Sequence, residues 1–307
     1  MLEAVREGAL LAPGTPVVAM LSGGRDSVCL LDLCARLLGA EAMTALHVNY
    51  GLRDDSDEDE AHCAALCERL GVGLEVERPR RPEGPGNLQA WARDARYAAA
   101  ARLALPAGRL IATGHTADDQ VETILYRLAS SPSRRALLGM PRHDGSLVRP
   151  LLDFTRAQTT AYCEERDLAW RDDPTNAGGG YARNRVRHGL GPALAEIHPA
   201  AAKNVLRTAD LLREEAEVLD ALVIAEIDGG NGTDRGTISL ERLAELPSAL
   251  RRLVVQQLAD RAAGRPVPGA ANRADEVAML RRTGKAMLDL GGGVRAVVER
   301  GVLHAER

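Results

Sequence analysis

Aromatic side chains are scarce in this sequence: they make up 3% of its 307 residues, and phenylalanine occurs once. A hydrophobic core therefore has to be built from leucine, valine, isoleucine and alanine. The chain also has no run of about 18 uncharged apolar residues, and its first residues do not form a signal-peptide pattern. These absences argue against a membrane protein and against a secreted one.

The five cysteines are odd in number, and none of them forms a Cys-x-x-Cys pair. Metal binding through cysteines and structural disulfides are therefore not expected, and a reducing cytoplasm is the predicted location. The net charge of −4 does not by itself indicate a nucleic-acid partner. Charge is uneven, however, because residues 54–60 are acidic while arginines are dense between residues 134 and 187. A segregated basic face is compatible with RNA binding, although composition alone does not decide it.

An apolar strand, a loop of small residues and a helix follow one another at residues 17–38. The apolar run at 17–21 is typical of a buried parallel strand, and the leucines after residue 29 recur at helical spacing. Such a turn directs backbone N–H groups and the positive end of a helix dipole at one point, which suits a phosphate. The loop is not a Walker A motif, because the Gly-Lys-Ser/Thr sequence is missing. The alternative is an ordinary strand-to-helix turn.

The loop residues divide into a phosphate-binding set and one acid. Ser22 and Ser27 offer hydroxyl donors, while Gly23 and Gly24 remove side chains where an anion must approach. Their density favours a phosphate site over an ordinary turn. Asp26 would repel a bare phosphate, so we expect it beside Mg²⁺ or an incoming cation.

Strands and helices alternate along the first part of the chain, which predicts βαβ units and a parallel sheet. The further strand patterns cover residues 43–50, 72–77 and 109–113. In such sheets a ligand lies at the carboxyl ends of the strands. The segments that should meet around this crevice are 22–27, 47–53 and 114–119.

The alternation ends after Pro150, and longer helical patterns follow. The fold class is therefore α/β: a parallel-sheet nucleotide-binding domain over residues 1–205, then a smaller, mainly helical domain over 206–307 with a terminal β-hairpin. The later helices are predicted over 199–227, 240–263 and 273–282. The hairpin is predicted to turn at the Gly-Gly-Gly sequence that follows Leu290.

Two acids begin the helix predicted after the strand at 109–113. Asp119 and Glu122 are three residues apart, so their carboxylates share one helix face. Next to a phosphate loop, such a pair could hold Mg²⁺ or an amine. The alternative is that acids at a helix start are favoured by the helix dipole. Gly114 and His115 end the strand, and His115 is a candidate phosphate contact.

Arginines with suitable spacing occur in three places. Arg93 and Arg96 lie one helical turn apart and could clamp a polyphosphate or an RNA backbone, with a solvated basic face as an equal alternative. A denser group follows a glycine-rich loop and favours contacts with phosphates and bases. This denser group consists of Arg183, Arg185 and Arg187. The third place is the adjacent pair Arg134 and Arg135.

Taken in order, these segments resemble those of the tRNA(Ile)-lysidine synthases, a family of pyrophosphate-loop ATP pyrophosphatases. The resemblance runs from Val17 to about Pro192, and although the loop alone is typical of the whole superfamily, the ordered set of motifs is specific. Tyr50 departs from the family pattern, which usually has a histidine there. The motifs are Ser22-Gly23-Gly24-Arg25-Asp26-Ser27, His47-Val48-Asn49-Tyr50-Gly51-Leu52-Arg53, Ala92-Arg93 with Arg96-Tyr97, Gly114-His115-Thr116-Ala117-Asp118-Asp119-Gln120-Val121-Glu122-Thr123, Arg149-Pro150-Leu151-Leu152, Asp173-Pro174-Thr175-Asn176 and Arg183-Asn184-Arg185-Val186-Arg187.

The resemblance implies an adenine nucleotide alpha hydrolase-like fold and a two-step ligation. ATP, with Mg²⁺, adenylates the C2 carbonyl oxygen of the wobble cytidine in the CAU anticodon of tRNA(Ile), and pyrophosphate leaves. The ε-amine of free L-lysine then displaces AMP and forms lysidine. A tRNA-binding role for residues 206–307 and homodimerisation are family expectations.

The resemblance also implies a role for each matching residue. Catalysis falls to Asp26, Asp119 and Glu122, with Asp26 also the candidate ligand of Mg²⁺. ATP binding falls to Ser22, Gly23, Gly24, Arg25, Asp26, Ser27, His47, Gly114 and His115. Lysine binding falls to Asp119, Glu122, Arg93 and Arg183, and tRNA binding to Arg183, Arg185 and Arg187. The basic charge in the middle of the chain, rather than a matching motif, adds Arg134 and Arg135 to the predicted tRNA-binding residues.

Two other functions stay open at this point. A pyrophosphate-loop tRNA thiolase, such as a cytidine thiolase, usually needs paired cysteines, which this sequence lacks. A non-catalytic RNA- or nucleotide-binding module would have no need of the three acids, and ATP turnover would exclude it. An amidotransferase relative would need a glutaminase domain, for which 307 residues leave no room.

Overall fold

The computed structural model describes residues 1–52, 54–82, 86–131, 134–171, 182–228 and 236–307, apart from the side chains of Arg135 and Arg183. Within these ranges the chain forms two compact units, Met1–Asp210 and Leu211–Arg307. The division lies inside one long helix, α10 (Ala201–Asp228). The domain boundary at 205/206 stays a prediction. No described helix combines the length and the apolar character that crossing a membrane requires.

A six-stranded sheet in the order β3-β2-β1-β4-β6-β5 forms the centre of the first unit. All neighbouring strands are parallel except the edge pair β5 and β6, so the predicted parallel α/β sheet is confirmed. The strands are β1 (Val17–Met20), β2 (Met43–Val48), β3 (Gly73–Glu77), β4 (Leu110–Ala112), β5 (His143–Asp144) and β6 (Leu147–Val148). The helices are α1 (Leu2–Glu7), α2 (Arg25–Leu38), α3 (Ser56–Leu70), α4 (Leu88–Ala104), α5 (Ala117–Ser130), α6 (Arg134–Leu137), α7 (Arg156–Glu165), α8 (Ala182–Arg185) and α9 (Gly191–Ile197).

Strand β1 is apolar throughout because both faces of the sheet are covered. Val17 and Ala19 belong to the core that contains the leucines of α2. Val18 and Met20 pack on the other side, in the core that contains Ala100 of α4. All four side chains are less than 9% exposed. A strand in such a position cannot show an alternating polar pattern.

The second unit is built around a four-stranded antiparallel sheet in the order β7-β10-β9-β8. Its strands are β7 (Ile238–Ser239), β8 (Lys285–Gly291), β9 (Val294–Glu299) and β10 (Val302–Glu306), and its helices are α11 (Leu240–Glu245), α12 (Ser248–Ala263) and α13 (Ala274–Ala278). Gly291, Gly292 and Gly293 all have positive φ angles, of 88°, 63° and 80°. That backbone favours glycine, so the terminal turn forms as predicted.

Two helix predictions in this unit were too long. The helix predicted over 240–263 is interrupted between α11 and α12, because Pro247 lacks an N–H group and forces Leu246 into an extended conformation with ψ of 144°. The helix predicted over 273–282 ends at Ala278, since the chain has to turn before β8 pairs with β9 from Lys285 onwards.

Candidate active site

The loop between β1 and α2 is a closed turn at the N-terminus of a 14-residue helix. The Ser22 N–H donates to Ser27 Oγ at 3.1 Å, and Ser27 Oγ donates to the Gly24 carbonyl oxygen at 2.8 Å. Gly23 has a φ of 81°, which a residue with a side chain rarely adopts. The first N–H groups of a helix lack partners within the helix, so this end of α2 is suited to an anion.

Gly114 lets the end of β4 approach this helix closely. A Cβ atom at position 114 would lie 2.9 Å from the Asp26 carbonyl oxygen and 3.1 Å from the Ser27 nitrogen. Both atoms belong to the backbone, so neither can rotate away as a side chain would. Gly114 therefore sets the distance between the strand end and the phosphate loop.

We expect Gly114→Ala to displace the first turn of α2 and to destabilise the protein by about 1–3 kcal/mol, the usual cost of overpacking. Nucleotide binding, measured by calorimetry with a non-hydrolysable ATP analogue, should weaken as well. Gly73→Ala is the matched control, because Gly73 lies in β3 with open space around its Cβ position. Equal effects of the two substitutions would contradict the close approach at Gly114.

His47 supports the loop from inside the protein. Its side chain is buried, and its Nδ1 lies 3.0 Å from the Leu21 carbonyl oxygen and 3.4 Å from Cys63 Sγ. The ring thus connects β2 to the end of β1 and to α3. Its predicted contact with ATP stays a prediction.

Helix α7 places an arginine between the three acids that the sequence predicted to be catalytic. Arg156 donates through Nη2 to Asp119 Oδ1 at 2.5 Å and through Nη1 to Glu122 Oε1 at 2.8 Å. Its Nε lies 4.0 Å from Asp26 Oδ2. Burial lowers the pKa of Arg156, but Asp119 and Glu122 outweigh this effect and the net pKa is raised. The three acids therefore surround one guanidinium group.

Asp119 also caps its own helix. Its Oδ2 accepts hydrogen bonds from the N–H and the hydroxyl of Thr116, at 2.8 and 3.0 Å, in a capping box at the start of α5. Asp119 thus stabilises the start of its own helix, and an acid favoured at a helix start was the alternative interpretation of this residue. Its contact with a substrate stays a prediction.

Asp26 is held by the same helix α7. Its Oδ1 accepts a 2.6 Å hydrogen bond from the hydroxyl of Thr159, which is fully buried, and a 3.2 Å bond from Arg25 Nε. Its Oδ2 accepts no hydrogen bond from the described residues. One turn of α7, with Arg156 and Thr159 three residues apart, therefore fixes the loop acid and the two acids of α5 relative to each other.

The described part of the chain holds no group of three or more His, Cys, Asp or Glu side chains arranged to bind a metal ion. Mg²⁺ that arrives with nucleotide phosphates needs only one or two protein carboxylates. The unbonded Oδ2 of Asp26 is suitable for that purpose, whereas both oxygens of Asp119 are occupied. The residues therefore fit a nucleotide-bound Mg²⁺, for which Asp26 is the candidate ligand.

A second cluster of arginines surrounds His115 at the end of β4. Arg93 and Arg96 lie on α4 against the ring of Tyr97, with their guanidinium carbons 4.8 and 5.9 Å from its centre. Arg149 is 6% exposed, and its Nε has no hydrogen-bond partner in the described residues. None of these three arginines forms an ion pair within the described ranges. Such a group of uncompensated cations is suited to a phosphate or a carboxylate.

His115 is uncharged in this environment. Its pKa is lowered to about 4, mainly by burial and further by the charges of Arg149, Arg93 and Arg96, against the opposing charge of Asp119. Its Nδ1 lies 2.8 Å from the Thr113 hydroxyl. A neutral imidazole can offer one N–H to a phosphate, but it contributes no positive charge at pH 7.

This low pKa predicts a loss of stability in acid. Between pH 6.5 and 4 the unfolded chain binds a proton at His115 that the folded protein does not, so stability falls as the pH falls through this window. The free energy of unfolding, measured with urea, should be higher at pH 7 than at pH 4.5, and His115→Asn should reduce this difference by about 2 kcal/mol. Met287→Asn, at an exposed position on β8 without a titratable group, should keep the wild-type difference. An unchanged difference in the His115 variant would contradict the low pKa.

The arginines predicted to bind tRNA are only partly described. Arg187 lies in a π-helical turn (Val186–Leu190) that contacts α5, and its Nε is 3.7 Å from Glu122 Oε1. Arg185 is exposed at the end of α8, and Arg134 lies on α6. The side chains of Arg135 and Arg183 lie outside the described residues, as do residues 53 and 172–181 with the Asp173–Asn176 motif.

Three residues of the site were not predicted from the sequence to belong to it: Arg149, Arg156 and Thr159. The capping box at Thr155 and Gln158 does predict the start of α7, and both of its hydrogen bonds form. The i, i+3 spacing of Arg156 and Thr159 was the available signal that they share a face. Tyr50 also gains a role, because its hydroxyl donates to the Ala92 carbonyl oxygen at 2.8 Å and so ties the end of β2 to α4.

Comparison with known proteins identifies the first unit. The family model described as "PP-loop domain" matches residues 8–194. Curated tRNA(Ile)-lysidine synthases from Pseudomonas fluorescens, Thermus thermophilus and Symbiobacterium thermophilum are 43%, 39% and 37% identical. The matches cover 67%, 86% and 97% of this chain and 48%, 53% and 66% of those proteins. The chain thus spans about half to two thirds of the length of these relatives.

A solved structure shares the fold. The U34-tRNA thiolase NcsA from Methanococcus maripaludis, with its [4Fe-4S] cluster, superposes with a TM-score of 0.58 at 18% identity, over 69% of this chain and 77% of that one. Together with the parallel sheet, the glycine-containing loop at the start of α2 and the acids of α5, the sequence match leads to one conclusion: this chain belongs to the PP-loop family.

Proposed function

We propose that this protein joins L-lysine to C2 of the wobble cytidine in the CAU anticodon of tRNA(Ile), with ATP as the activating substrate and AMP and pyrophosphate as products. The observation that carries the proposal is the arrangement around α7. A helix N-terminus suited to phosphates and an acid pair suited to an amine are held together by one turn of that helix. The names of the curated relatives support lysine as the amine and tRNA(Ile) as its acceptor.

In the first step the cytidine C2 carbonyl oxygen attacks the α-phosphorus of ATP. A new O–P bond forms, and the bond from the α-phosphorus to the pyrophosphate oxygen breaks. The loop from Ser22 to Ser27 and the N-terminus of α2 bind the phosphate oxygens and stabilise the departing pyrophosphate. Asp26 Oδ2 is the oxygen that would hold Mg²⁺, which supplies further charge neutralisation when bound.

In the second step the lysine ε-amine attacks C2, the C–N bond forms, and the C2–O bond to AMP breaks. The Asp119–Glu122 pair attracts the ammonium form of lysine and brings it to the adenylated base. Glu122 Oε2, which accepts no hydrogen bond from the described residues, can receive the proton that the amine must lose. The cluster of Arg93, Arg96 and Arg149 is the candidate site for an anion, either the lysine carboxylate or a tRNA phosphate.

The tRNA itself is assigned to the basic segments. Arg185 and Arg187 lie in the segment that contacts α5, and Arg187 lies next to Glu122, so an RNA strand bound there would reach the acid pair. By the same proposal Arg134, Arg135 and Arg183 contact the tRNA backbone, and residues 206–307 contribute a further docking surface.

The proposal is tested by analysing nucleosides after reaction. A tRNA(Ile) transcript with a CAU anticodon is incubated with protein, ATP, Mg²⁺ and L-lysine, digested, and examined by mass spectrometry. We expect one cytidine to gain the mass of a lysine residue, and a tRNA(Met) transcript with the same anticodon to stay unmodified. Release of AMP and pyrophosphate without lysine in the RNA would keep the adenylation step and reject lysine as the nucleophile.

A further inference from the structure

Arg156 occupies the position that the proposed function reserves for a cation. Its guanidinium bonds Asp119 at 2.5 Å and Glu122 at 2.8 Å, and its side chain is 16% exposed. Both acids are therefore already hydrogen-bonded when no ligand is bound. They already have a counter-charge, which comes from the protein itself.

The bonds of the two acids decide what an incoming ammonium has to replace. Asp119 Oδ2 is used by the N–H and hydroxyl of Thr116, and breaking these bonds would uncap α5. Among the described residues, Asp119 Oδ1 accepts a hydrogen bond from Arg156 alone, and Glu122 Oε1 is shared by Arg156 and, at 3.7 Å, by Arg187. An ammonium group that bonds both acids through these two oxygens therefore competes with the Arg156 guanidinium for them.

The backbone around Arg156 is fixed independently of its guanidinium. The Arg156 N–H donates to Asp118 Oδ2 at 2.8 Å, and the capping box of Thr155 and Gln158 starts α7 at this residue. Thr159 anchors the next turn to Asp26. The long side chain can consequently leave the acids by rotating about its own bonds, while the helix stays in place.

We propose that Arg156 is a tethered counter-cation of the Asp119–Glu122 pair, which the ammonium group of the amine substrate displaces on binding. This inference rests on the proposed function for the identity of the amine. It makes Arg156 a specificity-determining residue: the acids stay compensated without substrate, and only a cation that bonds both of them competes with the resident guanidinium. The affinity for lysine is accordingly lower than the acid pair alone would give.

The test measures binding rather than turnover. The thermal unfolding midpoint is followed against L-lysine concentration for the wild type and for Arg156→Gln, because a ligand of the folded state raises the midpoint. We expect the variant to reach half of its maximal shift at an L-lysine concentration about tenfold lower than the wild type, since one charged hydrogen-bond partner no longer competes. Arg242→Gln, which removes a two-bond pair with Glu226 in the second unit, should behave like the wild type.

Two further measurements test the inference even if Arg156→Gln folds poorly. Arg156→Lys keeps the charge but cannot bond both acids as a planar guanidinium does. The L-lysine concentration that gives half of its maximal midpoint shift should therefore lie between those of the wild type and Arg156→Gln. Ethylguanidinium, which replaces the missing group, should raise the midpoint of Arg156→Ala and leave the wild type unchanged. An equal or higher lysine requirement in the variants, or no shift in any of the proteins, would overturn the inference. Lysine in the tRNA product reports on the proposed function separately.

Discussion

Asp26→Asn is expected to slow tRNA-dependent pyrophosphate release by about 10²- to 10³-fold while the protein stays folded. Asparagine keeps an oxygen that can accept the 2.6 Å hydrogen bond from Thr159, so the packing of α7 against the loop is retained. It removes the negative charge and the unbonded oxygen Oδ2, which is the candidate Mg²⁺ ligand. The release rate at saturating tRNA and ATP measures the effect.

Two controls separate charge from packing in this experiment. Thr159→Val removes the hydrogen bond to Asp26 and keeps the carboxylate, so we expect a loss smaller than about tenfold. Asp153→Asn removes an exposed acid that is paired with Arg142 and should leave the rate unchanged. A folded Asp26→Asn protein with a nearly wild-type rate would show that adenylation does not depend on this carboxylate.

Glu122→Gln is expected to separate the two steps of the reaction. Glutamine has the same size and can still accept the hydrogen bond from Arg156 Nη1, but it neither attracts an ammonium nor takes up its proton. Lysine transfer should therefore fall by about 100-fold or more, while tRNA-dependent pyrophosphate release changes little. Single-turnover measurements of pyrophosphate and of labelled lysine in the RNA give both values from one reaction.

Asp119 is a poorer choice for this separation. Asp119→Asn also disturbs the capping box with Thr116, which costs about 1 kcal/mol of stability in addition to any effect on lysine. Glu164→Gln, at an exposed position on α7, is the matched control for Glu122→Gln and should leave both steps intact. If pyrophosphate release and lysine transfer fall together in Glu122→Gln, the carboxylate is not specific to the second step.

The sequence predicts those parts of the site whose structure depends on residues close together in the chain. The strand, loop and helix around Ser22–Ser27 form as expected, because small residues, a positive φ at Gly23 and an apolar helix face are local features. The helix start at Asn87 is a local feature as well, because asparagine is a favoured N-cap residue and its Oδ1 accepts from the Ala90 N–H. The alternation of strands and helices then brings the loop and the start of α5 to the same edge of the sheet.

The role of α7 could not be predicted in this way. Thr159 bonds a residue 133 positions earlier in the chain, and Arg156 bonds acids 34 and 37 positions earlier. Helical spacing shows that Arg156 and Thr159 share a face, but it does not show which other element that face contacts. Only the folded structure, in which the start of α7 bonds acids of both α2 and α5, shows that the predicted catalytic acids are held by Arg156 and Thr159.

The most direct test of the account is the incorporation of labelled L-lysine into tRNA. Purified protein is incubated with ATP, Mg²⁺, labelled lysine and a tRNA(Ile) transcript with a CAU anticodon, and the label in the RNA is counted together with the AMP formed. The account predicts one AMP for each lysine incorporated, no incorporation without ATP, and incorporation about 10²- to 10³-fold slower with Asp26→Asn. A folded wild-type protein that neither incorporates lysine nor releases AMP and pyrophosphate in the presence of this tRNA would contradict it.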